Sequence, residues 1–164
     1  MELYLIRHGI AADKADYDND EDRPLTEIGR RKTKNVAQQL HEHKLHFDLI
    51  LTSPLVRARE TAKILQDISL SSQVAEFPPL APDGNIEEWV SWLQERRQTT
   101  NDKSIALVGH QPDLGNWAEI LIWGKAQAKL VLKKAGIIGL NLPETGTPLN
   151  QSQLFLLTSP KWLL

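Results

Sequence analysis

The chain of 164 residues contains no cysteine. That single absence excludes disulfides, thiolate nucleophiles and cysteine-ligated zinc, and makes a cytoplasmic setting the expectation. An excess of charge is missing too. The 19 lysines and arginines stand against 21 acidic residues, and no basic cluster is longer than Arg30-Arg31-Lys32. No nucleic acid and no membrane surface is therefore expected as a partner. No apolar run approaches the ~18 residues of a membrane span. A signal peptide is not expected, because the first strand already begins at Glu2 or Leu3. Repeats, low-complexity tracts and linkers are lacking as well. What remains is 41% hydrophobic and 24% charged, an ordinary globular balance in a chain long enough to bury a real core. Residues 1–164 are expected to form a single domain and a monomer.

Strand and helix patterns take turns along the first two-thirds of the sequence. ELYLIR reads as a strand, and RPLTEIGRRKTKNVAQQLHEH as a helix capped by Thr26, with Val36, Ala37 and Leu40 on one face. FDLILTS is the next strand. SPLVRARETAKILQDI follows as a helix with Ser53 as its cap, Pro54 at the first helical position, and Leu55, Ala58, Ala62 and Leu65 at helical spacing. QVAEF suggests a short strand, PPLAPDG a set of turns, and NIEEWVSWLQERRQ a helix opened by Asn85 with Glu88 completing a capping box. SIALVG is a buried strand and PDLGNWAEILIW a further helix. The last stretch reads as short strands in KLVLKK, GIIGLNL and QLFLLTS. This order predicts a three-layer α/β/α sandwich, with a mainly parallel central sheet and antiparallel C-terminal strands.

In such a sheet, ligands bind at the carboxyl ends of the strands, where loops and helix N-termini converge. Three strand ends carry suggestive residues: Arg7-His8-Gly9, Ser53-Pro54-Leu55-Val56-Arg57, and Gly109-His110-Gln111-Pro112. Arg7 and His8 would point to opposite faces of an extended strand, so one shared ligand requires a bend, which Gly9 permits. Arg57 falls in the first turn of its helix, where free N–H groups also favour an anion. Two arginines, two histidines and helix N-termini on one sheet edge describe a phosphate pocket. The planar guanidinium fork matches phosphate oxygens, and imidazole serves as nucleophile or donor.

These residues carry a resemblance. Leu5-Ile6-Arg7-His8-Gly9 is similar to the signature of the histidine phosphatase superfamily, the phosphoglycerate-mutase-like fold. Ser53-Pro54-Leu55-Val56-Arg57-Ala58 and Val108-Gly109-His110 match its second and third motifs in order, and Pro24-Leu25-Thr26-Glu27-Ile28-Gly29 resembles its Leu-Thr-x-x-Gly helix start. The small size and the terminal Leu157-Thr158-Ser159-Pro160 resemble the SixA-type phosphohistidine phosphatases.

The resemblance implies a two-step phosphoryl transfer without metal or cofactor, on a phosphorylated protein such as a histidine phosphotransfer protein. His8 would attack phosphorus and become a phosphohistidine that water then hydrolyses. Arg7, Arg57 and His110 would hold the phosphate oxygens, with Ser53 as a further substrate-binding candidate. The surrounding positive charge is expected to keep His8 neutral. Larger family members carry an acid in an insert after the second motif, whereas here about 16 residues separate two helices, too few for a helical lid. Asp83 is the positional candidate for that acid, and its alternative reading is a turn residue in Pro-Asp-Gly. A small phosphate-ester phosphatase and a non-catalytic phosphate-binding module are the competing functions.

Other candidates have simpler readings. Arg59 is expected as a surface charge. His41, His43 and His46 straddle a helix end without a metal-ligand pattern. Trp89, Trp92 and Trp123 are expected in the core, and Trp117 either there or on the pocket wall. Asp16, Asp18, Asp20, Glu21 and Asp22 read as a mobile, solvated acidic loop near the mouth.

Overall fold

The computed structural model describes residues 1–164. Six strands form one sheet: β1 (Glu2–Arg7), β2 (Leu49–Thr52), β3 (Val74–Glu76), β4 (Ser104–Gly109), β5 (Ile137–Asn141) and β6 (Gln153–Thr158). Their spatial order is β3-β2-β4-β1-β5-β6. The first four are mutually parallel, and β5 pairs antiparallel with both β1 and β6. Five helices accompany them: α1 (Glu27–Glu42), α2 (Val56–Asp67), α3 (Ile86–Thr99), α4 (Asp113–Trp123) and the short α5 (Pro160–Leu163). None is long and apolar enough to cross a membrane.

The period of two along β1 divides the core. Leu3 and Leu5 pack with Trp89 and Leu93 of α3 and Trp117 and Leu121 of α4. Tyr4 and Ile6 face the other way, against Val36, Ala37 and Leu40 of α1 and Ala58, Ala62 and Leu65 of α2. A strand covered on both faces has to be apolar throughout, which is why LYLI is an unbroken run. The result is the expected three-layer sandwich. Trp117 belongs to the core, while Trp92 is half-buried and Trp123, the last residue of α4, is 38% exposed. The expectation of a core position for Trp123 is thereby corrected.

Local details differ from the sequence reading in four places. Ser53 does not cap α2. The helix starts at Val56 after Leu55, and Ser53 Oγ accepts the Leu55 N–H at 3.2 Å across a turn. Asn85 caps α3 by accepting the Glu87 N–H, and Glu88 returns no side-chain bond to it. KLVLKK is not a strand. The buried Glu119 carboxylate accepts the backbone N–H groups of Gln127, Lys129 and Leu130, drawing the segment out of sheet pairing. Burial works to raise the pKa of Glu119, but those N–H donors leave it below its usual value. Finally, the acidic loop is ordered into two short 3-10 turns, Lys14–Asp16 and Asp20–Asp22, closed by an Ala11–Leu25 bridge.

The segment between α2 and α3 contains only β3 and a 3-10 turn at Pro78–Leu80. Nothing helical overhangs the sheet edge there. α1 sits close to the turn after β1, because a Cβ on Gly29 would lie 2.1 Å from the Ile10 carbonyl oxygen. Thr26 Oγ1 accepts the Gly29 N–H at 2.9 Å, while the Thr26 N–H donates to the same Ile10 oxygen.

Candidate active site

Parallel register aligns the three strand ends. Arg7 pairs with Gly109 and Thr52 with Val108, so His8, Ser53 and His110 follow side by side on adjacent strands. The His8 N–H donates to Gly109 O at 3.0 Å and the Ser53 N–H to Val108 O at 2.9 Å, extending the ladder past the last paired residues. A cleft of about 320 Å³ opens above them, and Arg7, His8, Arg57, His110 and Asp83 all line it. Ser53 lies beneath the cleft, fully buried, and touches it only through His110.

His8 is 6% exposed, and its two ring nitrogens are distinguished by their surroundings. Nδ1 lies 2.7 Å from the Gly9 carbonyl oxygen, which only accepts, so Nδ1 carries the proton. Nε2 therefore keeps its lone pair and accepts the Arg57 Nε–H at 3.3 Å. Burial of the ring is the main cause that pushes its pKa down to about 3, with His110, Arg57 and Arg7 adding to it against the Gly9 hydrogen bond. The expectation named neighbouring positive charge as the reason for a neutral ring; desolvation outweighs it. A neutral imidazole with one unprotonated, pre-oriented nitrogen, engaged only by the long Arg57 hydrogen bond, is a nucleophile in its reactive state.

The flanking groups are set by the same packing. Arg7 is anchored through Nη1 to Leu132 O at 2.9 Å, and its buried Nε has no protein partner. Burial and the adjacent Arg57 charge lower its pKa. The His110 ring stands 5.2 Å from that of His8, with Nε2 2.8 Å from Ser53 Oγ and Nδ1 buried without a partner. Burial first, then Arg57, pushes His110 down to about 4. Two orphaned polar nitrogens on residues that line one cationic cleft suit the oxygens of a tetrahedral anion.

The sequence reading places Asp20 only in a solvated loop near the mouth, and it does not single out Arg23 or Asp113. Arg57 donates from Nη1 to the Asp20 carbonyl oxygen at 2.7 Å and from Nη2 to Asp20 Oδ2 at 3.0 Å, and Arg23 holds the other oxygen of that carboxylate at 2.9 Å. Burial works to raise Asp20, yet Arg57 and Arg23 leave it below its usual value. The loop read as mobile thus orients the arginine on α2. Asp83 is exposed in a left-handed turn with φ +67, and its N–H donates to Asp113 Oδ2 at 2.8 Å. Asp113, the first residue of α4, also lines the cleft, and burial raises its pKa. A carboxylate three residues beyond Gly109-His110 was visible in the sequence, but nothing there indicated that the 81–84 turn would meet it.

Elsewhere the simple readings hold. Arg59 is exposed and pairs with Glu76, and His41, His43 and His46 are exposed around the end of α1.

Comparison with known proteins agrees with this geometry. Residues 3–78 match the histidine phosphatase superfamily (branch 1), a span containing Arg7, His8, Ser53 and Arg57. An uncharacterized protein of Picosynechococcus sp. is 53% identical over 100% of this chain and 99% of its own length. The phosphohistidine phosphatase SixA of Escherichia coli is 29% identical, over 89% of this chain and 88% of its own. A solved structure of the protein histidine phosphatase SixA complexed with tungstate covers 100% of both chains with a TM-score of 0.86 and 26% identity. With the strand-end histidines and arginines in place, the chain is a phosphatase, matched over residues 3–78 by the histidine phosphatase superfamily and similar along its whole length to the phosphohistidine phosphatase SixA.

Proposed function

We propose that this phosphatase removes phosphate from phosphohistidine carried on a protein, with His8 as nucleophile. The observation that carries the reading is the His8 tautomer, whose Nδ1–H is held by Gly9 O so that Nε2 offers its lone pair inside the cleft. Nε2 attacks phosphorus, the bond from phosphorus to the substrate imidazole breaks, and that imidazole leaves as the neutral ring, taking a proton from solvent at the open mouth of the cleft. Water then attacks the phosphohistidine on His8, releasing phosphate and regenerating the free nitrogen. Arg7, Arg57 and His110 take the equatorial oxygens, and Ser53 acts through His110 rather than on substrate. Positioning and charge stabilisation of this kind call for no metal or cofactor.

Phosphohistidine as substrate is supported by the likeness to SixA and by the low rim between α2 and α3, which leaves the cleft accessible to a protein surface. An imidazole leaving group needs less protonation than an alkoxide does. One observation favours a small-ester phosphatase as the second reading: Asp83 and Asp113 meet at the mouth, and Asp113 is biased toward its protonated form. In either reading the working unit is a monomeric single domain of the cytoplasm.

The test is to assay the enzyme on a histidine-phosphorylated phosphotransfer protein beside a panel of phosphate esters, with rapid acid-free quenching to trap phosphohistidine on His8. Faster turnover of the phosphohistidine protein and a His8 adduct that His8→Ala abolishes are expected. Substantial hydrolysis by purified His8→Ala, or higher kcat/KM on an ester, would overturn the proposal.

A further inference from the structure

Beside the cleft runs a groove of about 500 Å³ lined by Lys32 of α1, Lys133 and Lys134 of the turn before β5, Lys161 of α5, and Arg7. No carboxylate lines it, and none of the four lysines takes part in an ion pair. Lysines without an ion pair occur elsewhere too, Lys34 and Lys44 among them, so what marks the groove is the gathering of four of them with Arg7 in one lining that holds no carboxylate, whereas the neighbouring Arg23 and Arg57 share Asp20. The imbalance is local, since the whole chain carries a formal net charge of -2. Lysines gathered in one groove repel one another within the ~8 Å Debye length of physiological salt, and an opposing anionic surface relieves that repulsion.

Arg7 and Lys134 line both the groove and the cleft, so the two are continuous. A phosphoryl group in the cleft is already served by Arg7, Arg57 and His110. The lysines beyond it meet whatever carries that group. Four ammonium groups on flexible stems do not demand the planar, bidentate match an arginine makes, and so suit several carboxylates at loosely defined positions. We infer that this groove docks acidic side chains flanking the phosphorylated residue of a protein substrate. The inference rests on the phosphoprotein reading above and adds the charge of the partner. Complementary fields of this kind act chiefly on encounter and selectivity.

The test uses four peptides of one backbone, carrying either phosphohistidine or phosphoserine and flanked by either glutamates or lysines. The enzymes are the wild type and K32E/K133E/K161E, whose three positions are exposed and lie outside the cleft. The wild type is expected to favour glutamate-flanked peptides by ~10-fold or more in kcat/KM, a preference that fades as salt shortens the Debye length toward 3 Å. The triple variant is expected to lose or invert it while hydrolysing p-nitrophenyl phosphate at the wild-type rate, which also shows that it folds. The phosphoserine arm separates the two proposals. Turnover of phosphoserine but not phosphohistidine peptides, with the acidic preference intact, would sink the phosphohistidine reading and leave the docking groove standing. Equal rates on both flanks, an unchanged preference in the triple variant, or no turnover of any peptide would overturn the groove.

Discussion

Replacing His8 by glutamine should abolish turnover and at the same time make the protein more resistant to acid. The wild-type ring is 6% exposed and its pKa is pushed down to about 3 from an ordinary 6.5. As pH falls below 6.5 the unfolded chain takes up a proton that the folded chain refuses. The folded state therefore loses stability between pH 6.5 and about 3, the loss is absent above that window, and it stops growing below it. Each unit costs about 1.4 kcal/mol, so by pH 4.5 His8 alone removes roughly 2.5–3 kcal/mol, a large share of a typical domain's stability. Glutamine cannot charge and is free of this penalty. Carboxylates with lowered pKa, such as Asp20 and Asp102, also weaken the fold in acid, but they are common to both proteins and cancel in the difference. The assay is urea unfolding of wild type and His8→Gln at pH 7.5, 6.5, 5.5 and 4.5. The stability difference should shift by roughly 2.5–3 kcal/mol in the variant's favour across the series. Parallel curves, agreeing within about 0.5 kcal/mol at every pH, would refute the buried neutral nucleophile.

Asp83→Asn should lower turnover of a phosphohistidine protein by less than the ~100-fold typical of losing a general acid, and slow alkyl phosphate esters more. A loss of ~100-fold on phosphohistidine would make Asp83 the acid and promote the ester reading. Activity should survive EDTA and gain nothing from magnesium, because the arginines and lysines of the cleft outnumber its three aspartates, one of which, Asp20, is already claimed by Arg23 and Arg57; reversible loss on chelation would contradict this. Gly29→Ala should destabilise the fold by ~2 kcal/mol or more in denaturant titration, since its Cβ would stand 2.1 Å from the backbone oxygen of Ile10. An unchanged midpoint would mean that α1 can shift away from the turn after β1 without cost.

Local pattern was enough to locate the strands that carry the site. Apolar runs ending in Arg7-His8, Thr52-Ser53 and Gly109-His110 are short-range features, and the carboxyl-edge rule then brings them together whatever the loops do. The same holds for α1 and α2, whose buried faces follow from helical spacing alone. The capping of α2 was not legible, because Ser53 Oγ has two uses and only the neighbouring strand, through His110, decides between them. The strand expected at KLVLKK failed for a similar reason. Its propensity is real, but a carboxylate on α4 claims the N–H groups of Lys129 and Leu130 at its start, and residue preferences do not register a competing partner that folding brings in from another element.

By itself the sequence determined the order of layers, the strand ends and the identity of the reactive groups, since each depends on periodicity and residue type within a few positions. Tertiary structure alone decided their chemical state. The His8 tautomer depends on a carbonyl one residue away being turned toward Nδ1, and its neutrality on the burial created by packing. Asp20 reaches Arg57 across 37 residues of chain, and Lys32 shares a groove with Lys161 only because α1 and α5 pack together. Charge, desolvation and hydrogen bonding act through space, at distances that the linear order of residues does not contain.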